Sequence, residues 1–175
     1  MLDPAETAIR QIEARGFTAT DVRHILVTHF DLDHIGGLAD FPDATVHVSA
    51  AEADGAIHHP SWRERVRYSR AQWARPEAGR APVTGDAWRG FAAAEQLTDI
   101  DPGLVFVSLP GHTRGHAAVA VDTGSGWIPH AGDAFYHHSA IDGRGRQPWP
   151  LTLRERAVAW HDRTARHNRA RLAEL

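Results

Sequence analysis

The feature that most constrains the fold is a short apolar run that leads straight into a cluster of metal-binding residue types. His24–Thr28 has the sequence His-Ile-Leu-Val-Thr, which predicts a buried strand. Four potential ligands then fall within six positions, in the segment His29-Phe30-Asp31-Leu32-Asp33-His34. A regular strand or helix would point these side chains in different directions, whereas a loop beyond a strand can turn them toward one place. We therefore predict a metal site in a loop at a strand end.

The rest of the chain alternates predicted helices and strands, which indicates an α/β fold. A first helix is expected from Asp3 to just before Gly16, and a second after the capping pair Ser49 and Glu52. Further strands are predicted at Thr45–Ser49, Leu104–Leu109, Ala117–Val121 and Trp127–His130, the last two forming a hairpin. A long final helix is expected at Thr152–Leu172, whereas residues 58–90 are predicted to be irregular. The length of 175 residues suits a single domain over residues 1–175.

Composition narrows the choice of metal and of partner. The chain has no cysteine, so any metal is held by histidine or carboxylate, which suits zinc, with iron, manganese or cobalt as alternatives. The formal net charge of -3 does not call for a nucleic-acid partner. The sequence has no apolar run of the ~20 residues that a membrane span needs, and its first residues lack the pattern of a signal peptide. A cytoplasmic location is the default expectation.

The ligand-rich segment also indicates a type of chemistry. Two adjacent metals can hold a bridging hydroxide at neutral pH and polarise a carbonyl oxygen, which favours hydrolysis of an ester, lactone, thioester or amide. The alternative interpretation is a solvated polar loop. We favour the metal site because four potential ligands within six positions, directly after a buried strand, are uncommon by chance.

Three motifs in the chain, in order, resemble those of the metallo-β-lactamase superfamily. The first segment resembles the signature His-x-His-x-Asp-His. Pro110-Gly111-His112-Thr113-Arg114-Gly115-His116 resembles a Gly-His-Thr-x-Gly motif whose histidine binds metal. Ala131-Gly132-Asp133 resembles a strand-end Gly-Asp motif whose aspartate bridges two metals. The resemblance implies an αβ/βα sandwich, two zinc ions and a small ester, lactone or thioester as substrate, with lactonases and glyoxalase II-like enzymes as the nearest types.

The resemblance also implies roles for individual residues. The expected metal ligands are His29, Asp31, Asp33, His34, His112 and Asp133. Asp33 would in addition act as a base for the attacking water or orient it. Tyr136 resembles a tyrosine of acyl-homoserine-lactone lactonases that meets the substrate carbonyl, although a packed aromatic is nearly as well supported.

The chain departs from the family pattern in three ways. Asp31 stands where the second histidine is usual, and the added negative charge favours harder metals. The family's N-terminal strands and its final histidine-bearing strand do not appear, so we expect a partial domain, incomplete at both ends. A missing sheet edge should expose apolar surface and favour homo-oligomers. His137 and His138 are candidates to replace the lost ligand, and His116 is either a supporting residue for a ligand or an ordinary strand residue.

Two other functions stay open at this point. The chain could be a catalytically impaired metal-binding or interaction protein derived from the fold, or a metal-dependent nuclease. The nuclease hypothesis rests on an arginine-rich stretch with interleaved aromatic residues, namely Trp62, Arg63, Arg65, Arg67, Tyr68, Arg70, Trp73 and Arg75. The slightly acidic net charge favours a solvated face or an active-site lid instead.

Overall fold

The computed structural model describes residues 3–72, 78–81 and 87–175, and shows a mixed α/β architecture. Trp73 and Arg75 of the arginine-rich stretch lie outside these described residues. The strands are β1 (His24–Leu26), β2 (Thr45–Ser49), β3 (Ala78–Ala81), β4 (Ala94–Gln96), β5 (Leu104–Ser108), β6 (Ala117–Asp122) and β7 (Trp127–His130). The helices are α1 (Ala8–Glu13), α2 (Leu32–Ile35), α3 (Ala50–Ala53), α4 (Trp62–Arg67), α5 (Ser139–Asp142), α6 (Trp149–Val158) and α7 (Asp162–Leu172). The predicted α/β class is confirmed.

The strands form two sheets of different type. β1, β2 and β3 lie parallel in that order, and β4 to β7 form an antiparallel meander in sequence order. The predicted hairpin of β6 and β7 is confirmed, with its turn closed by a hydrogen bond of 2.8 Å from the Thr123 N–H to the Gly126 carbonyl. β3 and β4 were not predicted, because their sequences Ala-Gly-Arg-Ala and Ala-Glu-Gln lack the β-branched and aromatic residues that mark strands.

Alternation along the central strands explains how the antiparallel sheet is buried on both faces. Val105 and Val107 of β5 point into one apolar cluster, and Phe106 between them points into another. The first cluster includes Leu172 of α7, and the second is packed by Leu26 of β1. The antiparallel sheet therefore contacts the last helix on one side and the parallel sheet on the other.

The predicted long helix Thr152–Leu172 is wrong, because the structure divides it into α6 and α7. The chain leaves the helix at Ala159, and the N–H groups of Trp160 and His161 donate to the carbonyls of His112 and Gly111 at 3.0 and 2.9 Å. These hydrogen bonds to a distant loop replace the helical ones. His161 consequently caps α7, accepting a hydrogen bond from the Thr164 N–H.

Apolar side chains are exposed near the outer strand of the antiparallel sheet. Val121 and Ile128 keep 41% and 63% of their surface accessible. This agrees with the expectation of exposed apolar surface, whereas self-association stays a prediction. Within the described residues, no helix has the length and apolarity needed to cross a bilayer.

Candidate metal centre

The loop after β1 and the loop before β6 carry all the predicted ligands except Asp133, which follows β7, and backbone pairing brings these two loops together. The Ala117 N–H donates to the Thr28 carbonyl at 3.0 Å, so the residues that follow β1 lie beside those that precede β6. His29 and His112 consequently face each other with ring centroids 4.8 Å apart. The prediction of a site just beyond a strand end is met by the geometry.

Glu52 fixes both loops from beneath. Its side chain is fully buried, and Oε1 accepts from the Phe30 N–H and the Tyr68 hydroxyl, both at 2.9 Å. The other oxygen, Oε2, accepts from the Thr113 hydroxyl at 2.6 Å and the Gly115 N–H at 3.0 Å. Four donors compensate for burying the carboxylate and join α3, α4 and the two ligand loops.

Gly115 permits this close approach. A Cβ atom at this position would collide with the Glu52 backbone nitrogen and with Ser49 Oγ. The Ser49 hydroxyl donates to the Gly115 carbonyl and accepts from the Glu52 N–H, which is one half of the predicted capping pair. The other half does not form, because the Glu52 carboxylate binds the ligand loops instead of the Ser49 N–H. The glycine of the second motif therefore serves packing between α3 and the ligand loop.

His29 directs its Nε2 atom toward the site. The ring is buried, and Nδ1 lies 3.0 Å from Thr28 Oγ1. Nε2 is buried, lies 3.4 Å from Asp31 Oδ2 and makes no well-aligned hydrogen bond among the described residues. Burial lowers the pKa of His29, which favours the neutral imidazole that binds metal.

Asp133 stands between two groups of ligand atoms. Its Oδ2 lies 3.5 Å from His112 Nε2, and its Oδ1 lies 3.2 Å from His34 Nε2. Burial raises the pKa of Asp133, but the hydrogen bond with His34 and the nearby histidines outweigh burial and bring the pKa to about 2. The pKa of His34 is raised, mainly by the same hydrogen bond. Asp133 thus directs one carboxylate oxygen toward each group, as a ligand that bridges two metals would.

The residues present fit a divalent metal. Ligand atoms of His29, His112 and Asp133 all lie within 4.8 Å of one another, and the first two residues are buried. Two imidazole nitrogens and a carboxylate oxygen are a donor set typical of zinc and of other first-row divalent metals.

Asp31 faces the same nitrogens but is held by an arginine. Its Oδ2 lies 2.9 Å from His112 Nε2 and 3.4 Å from His29 Nε2. The Arg67 guanidinium donates to Oδ1 at 2.5 Å and to Oδ2 at 2.6 Å, forming a bidentate ion pair. Burial raises the pKa of Asp31, but hydrogen bonds from Arg67 and His112 hold that pKa well below its usual range. The pair carries no net charge.

The Arg67 guanidinium makes polar contacts through each of its nitrogens. Beyond the two bonds to Asp31, its Nη1 donates to the carbonyls of His112 and Val158, at 3.0 and 2.7 Å. Its Nη2 also lies 2.9 Å from His112 Nε2. Depending on its tautomer, this nitrogen accepts from Arg67 or donates to Asp31, and a metal bound to it would replace either hydrogen bond.

Asp33 and Tyr136 lie at the wall of a cavity of about 340 Å³ whose floor includes Asp31, His112 and Asp133. The Asp33 carboxylate is 79% exposed, with Oδ2 3.9 Å from His34 Nε2. The Tyr136 ring centroid is 6.0 Å from that of His112, and burial, followed by the charge of Asp133, raises the pKa of the phenol. Both predicted catalytic residues thus border the space above the ligands.

The remaining histidines near the site have other partners. His116 Nδ1 lies 3.1 Å from the Leu109 carbonyl, and its Nε2 accepts from the Asp133 N–H at 3.0 Å. Both ring nitrogens are occupied, so His116 holds the backbone of Asp133 in place. His137 Nδ1 lies 2.8 Å from Ser139 Oγ, and His138 pairs with Asp142. These contacts hold both histidines near the start of α5, apart from the candidate ligand group.

Sequence reasoning gave no site role to Glu52 or Arg67. Glu52 was assigned only to helix capping, and Arg67 only to an arginine-rich stretch. One signal could have indicated that a cation is present, because a buried carboxylate in place of a neutral ligand predicts a compensating positive charge. Nothing local in the sequence distinguishes Arg67 from its neighbouring arginines.

Comparison with known proteins supports the assignment from geometry. The sequence profile of the metallo-beta-lactamase superfamily matches residues 1–165. A "Probable metallo-hydrolase" of Mycobacterium tuberculosis is 56% identical over 172 residues, which cover 98% of this chain and 56% of that protein. The N-acyl homoserine lactonase AttM of Agrobacterium fabrum is 31% identical over 124 residues, which cover 69% of this chain and 44% of the lactonase.

Solved structures confirm the fold. An N-acyl homoserine lactone hydrolase with the product N-hexanoyl-L-homoserine at its catalytic metal centre matches 99% of this chain and 58% of its own, with a TM-score of 0.68 and 19% identity. The dizinc quorum-quenching lactonase AidC matches 93% of this chain and 56% of its own, with a TM-score of 0.62 and 18% identity. The chain therefore has the expected fold and spans a little over half the length of these proteins.

Proposed function

The chain belongs to the metallo-β-lactamase superfamily, and from that premise we propose that it acts as a metal-dependent hydrolase on a carbonyl substrate, such as a lactone, ester or thioester. Relatives named as metallo-hydrolases and as N-acyl homoserine lactonases support this class. Zinc is the proposed metal, with two ions as the proposed complement, because the dizinc lactonase shares the fold.

One observation carries the proposal. Ligand atoms of His29, His112 and Asp133 lie within 4.8 Å of one another, and the buried Nε2 of His29 makes no well-aligned hydrogen bond among the described residues, its contact with Asp31 Oδ2 being 3.4 Å long. A long contact satisfies a buried polar atom only in part, and a metal bound to this nitrogen would satisfy it fully. Two imidazole nitrogens and a carboxylate oxygen grouped in this way therefore support the proposal of a metal centre.

The surrounding residues divide the work. We assign His29, His112 and Asp31 to a first metal, His34 and Asp33 to a second, and Asp133 to a bridge between them. When bound, the metals would supply an activated water and polarise the substrate carbonyl.

Two side chains at the cavity wall are assigned to the proton of the attacking water and to the substrate carbonyl. The exposed Asp33 carboxylate is placed to orient water or accept a proton from it. The Tyr136 hydroxyl keeps its proton at neutral pH, because burial raises its pKa, and is available to donate to the substrate carbonyl.

Metal content tests the centre independently of catalysis. Protein loaded with zinc, manganese, iron or cobalt is dialysed, its metal is quantified, and hydrolysis of a lactone, an aryl ester and a thioester is assayed. His112→Gln should lower bound metal severalfold, whereas the exposed strand residue His130→Gln should not. A protein that keeps no stoichiometric metal under any loading condition contradicts the proposal.

The same assay addresses an impaired metal-binding protein. The observation in its favour is that Arg67 engages both oxygens of Asp31. This alternative predicts bound metal with no turnover on any of the three substrates. A nuclease could not use Arg67 as a phosphate contact, because this arginine is committed to its ion pair with Asp31.

A further inference from the structure

The cavity above the ligands has a wall of basic side chains. Helix α6 contributes Arg154 to this wall, and α4 contributes Arg63 and Arg67. Trp160, in the break between α6 and α7, borders the same space. The volume of about 340 Å³ suits a small organic molecule.

Most charges in this wall already have partners. Arg67 is saturated by Asp31 and two carbonyls, and Glu64 is paired with Arg114 at 2.7 Å. Arg63 lies 5.8 Å from the Trp160 ring centroid and donates to a carbonyl at 3.4 Å.

Arg154 differs from these arginines. It is exposed, and in the described part of the chain it forms neither an ion pair nor a hydrogen bond to a side chain or carbonyl. It nevertheless lines the same cavity as Tyr136 and the candidate ligands. An uncommitted guanidinium therefore shares this cavity with the hydroxyl that is proposed to meet the reacting carbonyl.

We propose that Arg154 binds an anionic group of the substrate, so that the favoured substrate is a carbonyl compound carrying a carboxylate or phosphate away from the bond that is cleaved. A guanidinium binds either anion through two parallel N–H donors, which a neutral substrate cannot use. This inference rests on the proposed function, because it concerns the substrate of the same site.

Binding of inert probes tests the inference without turnover. The zinc-loaded protein is titrated with hexanoate, adipate and 5-phosphonopentanoate, which share a carboxylate for the metal and the same tetramethylene spacer. They differ at the far end, which carries no charge, a carboxylate or a phosphonate. Adipate or the phosphonate should bind about tenfold more tightly than hexanoate, the gain expected from one exposed charge-assisted contact. The tighter of the two identifies the anion that the wall prefers.

Two variants assign the gain to its residue. Arg154→Gln should abolish the preference and leave zinc content unchanged. Arg156→Gln should keep the preference, because Arg156 is exposed on the same helix but borders a different hollow. Equal binding of all three probes by the unmodified protein overturns the inference, and so does an equal loss in the two variants.

Hydrolysis of monomethyl and dimethyl adipate separates this inference from the proposed function. The two esters share an acyl group and differ in one negative charge. Faster turnover of the monoester that depends on Arg154 supports both claims. If neither ester is hydrolysed while the Arg154-dependent binding preference persists, the proposed hydrolysis of such esters is contradicted, whereas the proposed anion site is supported.

Discussion

Removing the Arg67 side chain tests whether the Asp31–Arg67 pair supports the ligand loops. In Arg67→Met, the Asp31 carboxylate, which is only 15% exposed, would lose both of its guanidinium donors. The carbonyls of His112 and Val158 would lose one donor each. Methionine keeps most of the aliphatic bulk, so the change removes charge and hydrogen bonds more than packing.

The magnitude follows from the burial of the pair. Breaking a buried ion pair by removing one partner costs about 3–5 kcal/mol, because the other charge stays buried and unpaired. Arg67 and Asp31 retain 20% and 15% side-chain exposure, which places the expected loss near the lower end, about 3 kcal/mol. Asp31→Asn in the same background removes the unpaired charge and should recover about half of that loss.

Urea unfolding of metal-free protein at neutral pH measures the effect. Arg65→Met is the matched control, since Arg65 is exposed on the same helix and makes one hydrogen bond, of 3.3 Å, to the Pro60 carbonyl. Its expected cost is below about 0.5 kcal/mol. The reasoning is refuted if the two methionine variants lose equal stability, or if Asp31→Asn fails to relieve the loss.

Three further predictions concern the support of the site and of the parallel sheet. Glu52→Gln should lower the free energy of unfolding by about 3 kcal/mol in urea titrations. The amide nitrogen that replaces one carboxylate oxygen cannot accept the two hydrogen bonds that this oxygen accepts in the unmodified protein. A loss below about 1 kcal/mol would contradict the network. Gly132→Ala should cost about 2 kcal/mol more than Gly124→Ala in the same titrations, because both have positive φ but only the Cβ at 132 meets a neighbour, 2.8 Å from His116 Nε2. Equal costs would mean that backbone strain alone acts there. The pKa of His47 is lowered by burial and then by a neighbouring histidine, so its contribution to stability is complete above about pH 6.5 and is lost as the pH falls through the lowered folded-state pKa. His47→Gln should therefore destabilise the protein more at pH 8 than at pH 5, and an effect independent of pH would contradict this.

The Asp31–Arg67 ion pair explains how the site accommodates an aspartate at the position where the family usually has a histidine. An unpaired carboxylate there would add one negative charge to a buried cluster that already contains Asp133. Arg67 offsets this charge, so the Asp31–Arg67 pair has the same net charge as a neutral imidazole. The net charge of the proposed metal centre therefore depends on α4 as well as on the ligand loops.

The sequence by itself determined the ligand-bearing segments and the elements that precede them. Alternating or continuous apolar residues marked β1, β2, β5, β6 and β7, because burial of a strand leaves a periodic record in its own residues. Clustered ligand types marked the His29–His34 segment, and the order of the motifs gave the family. These signals are local, so they can be detected without knowing what the segments contact.

The tertiary structure alone decided which distant groups complete the site. The break before α7 arises from hydrogen bonds to the loop of Gly111 and His112, which override good helix-forming sequence on both sides. Glu52 and Arg67 gain their roles because the fold brings α3 and α4 beneath and beside the ligands. Buried polar groups must find partners wherever the chain topology supplies them, and the sequence around a residue does not record the identity of a partner that lies tens of residues away.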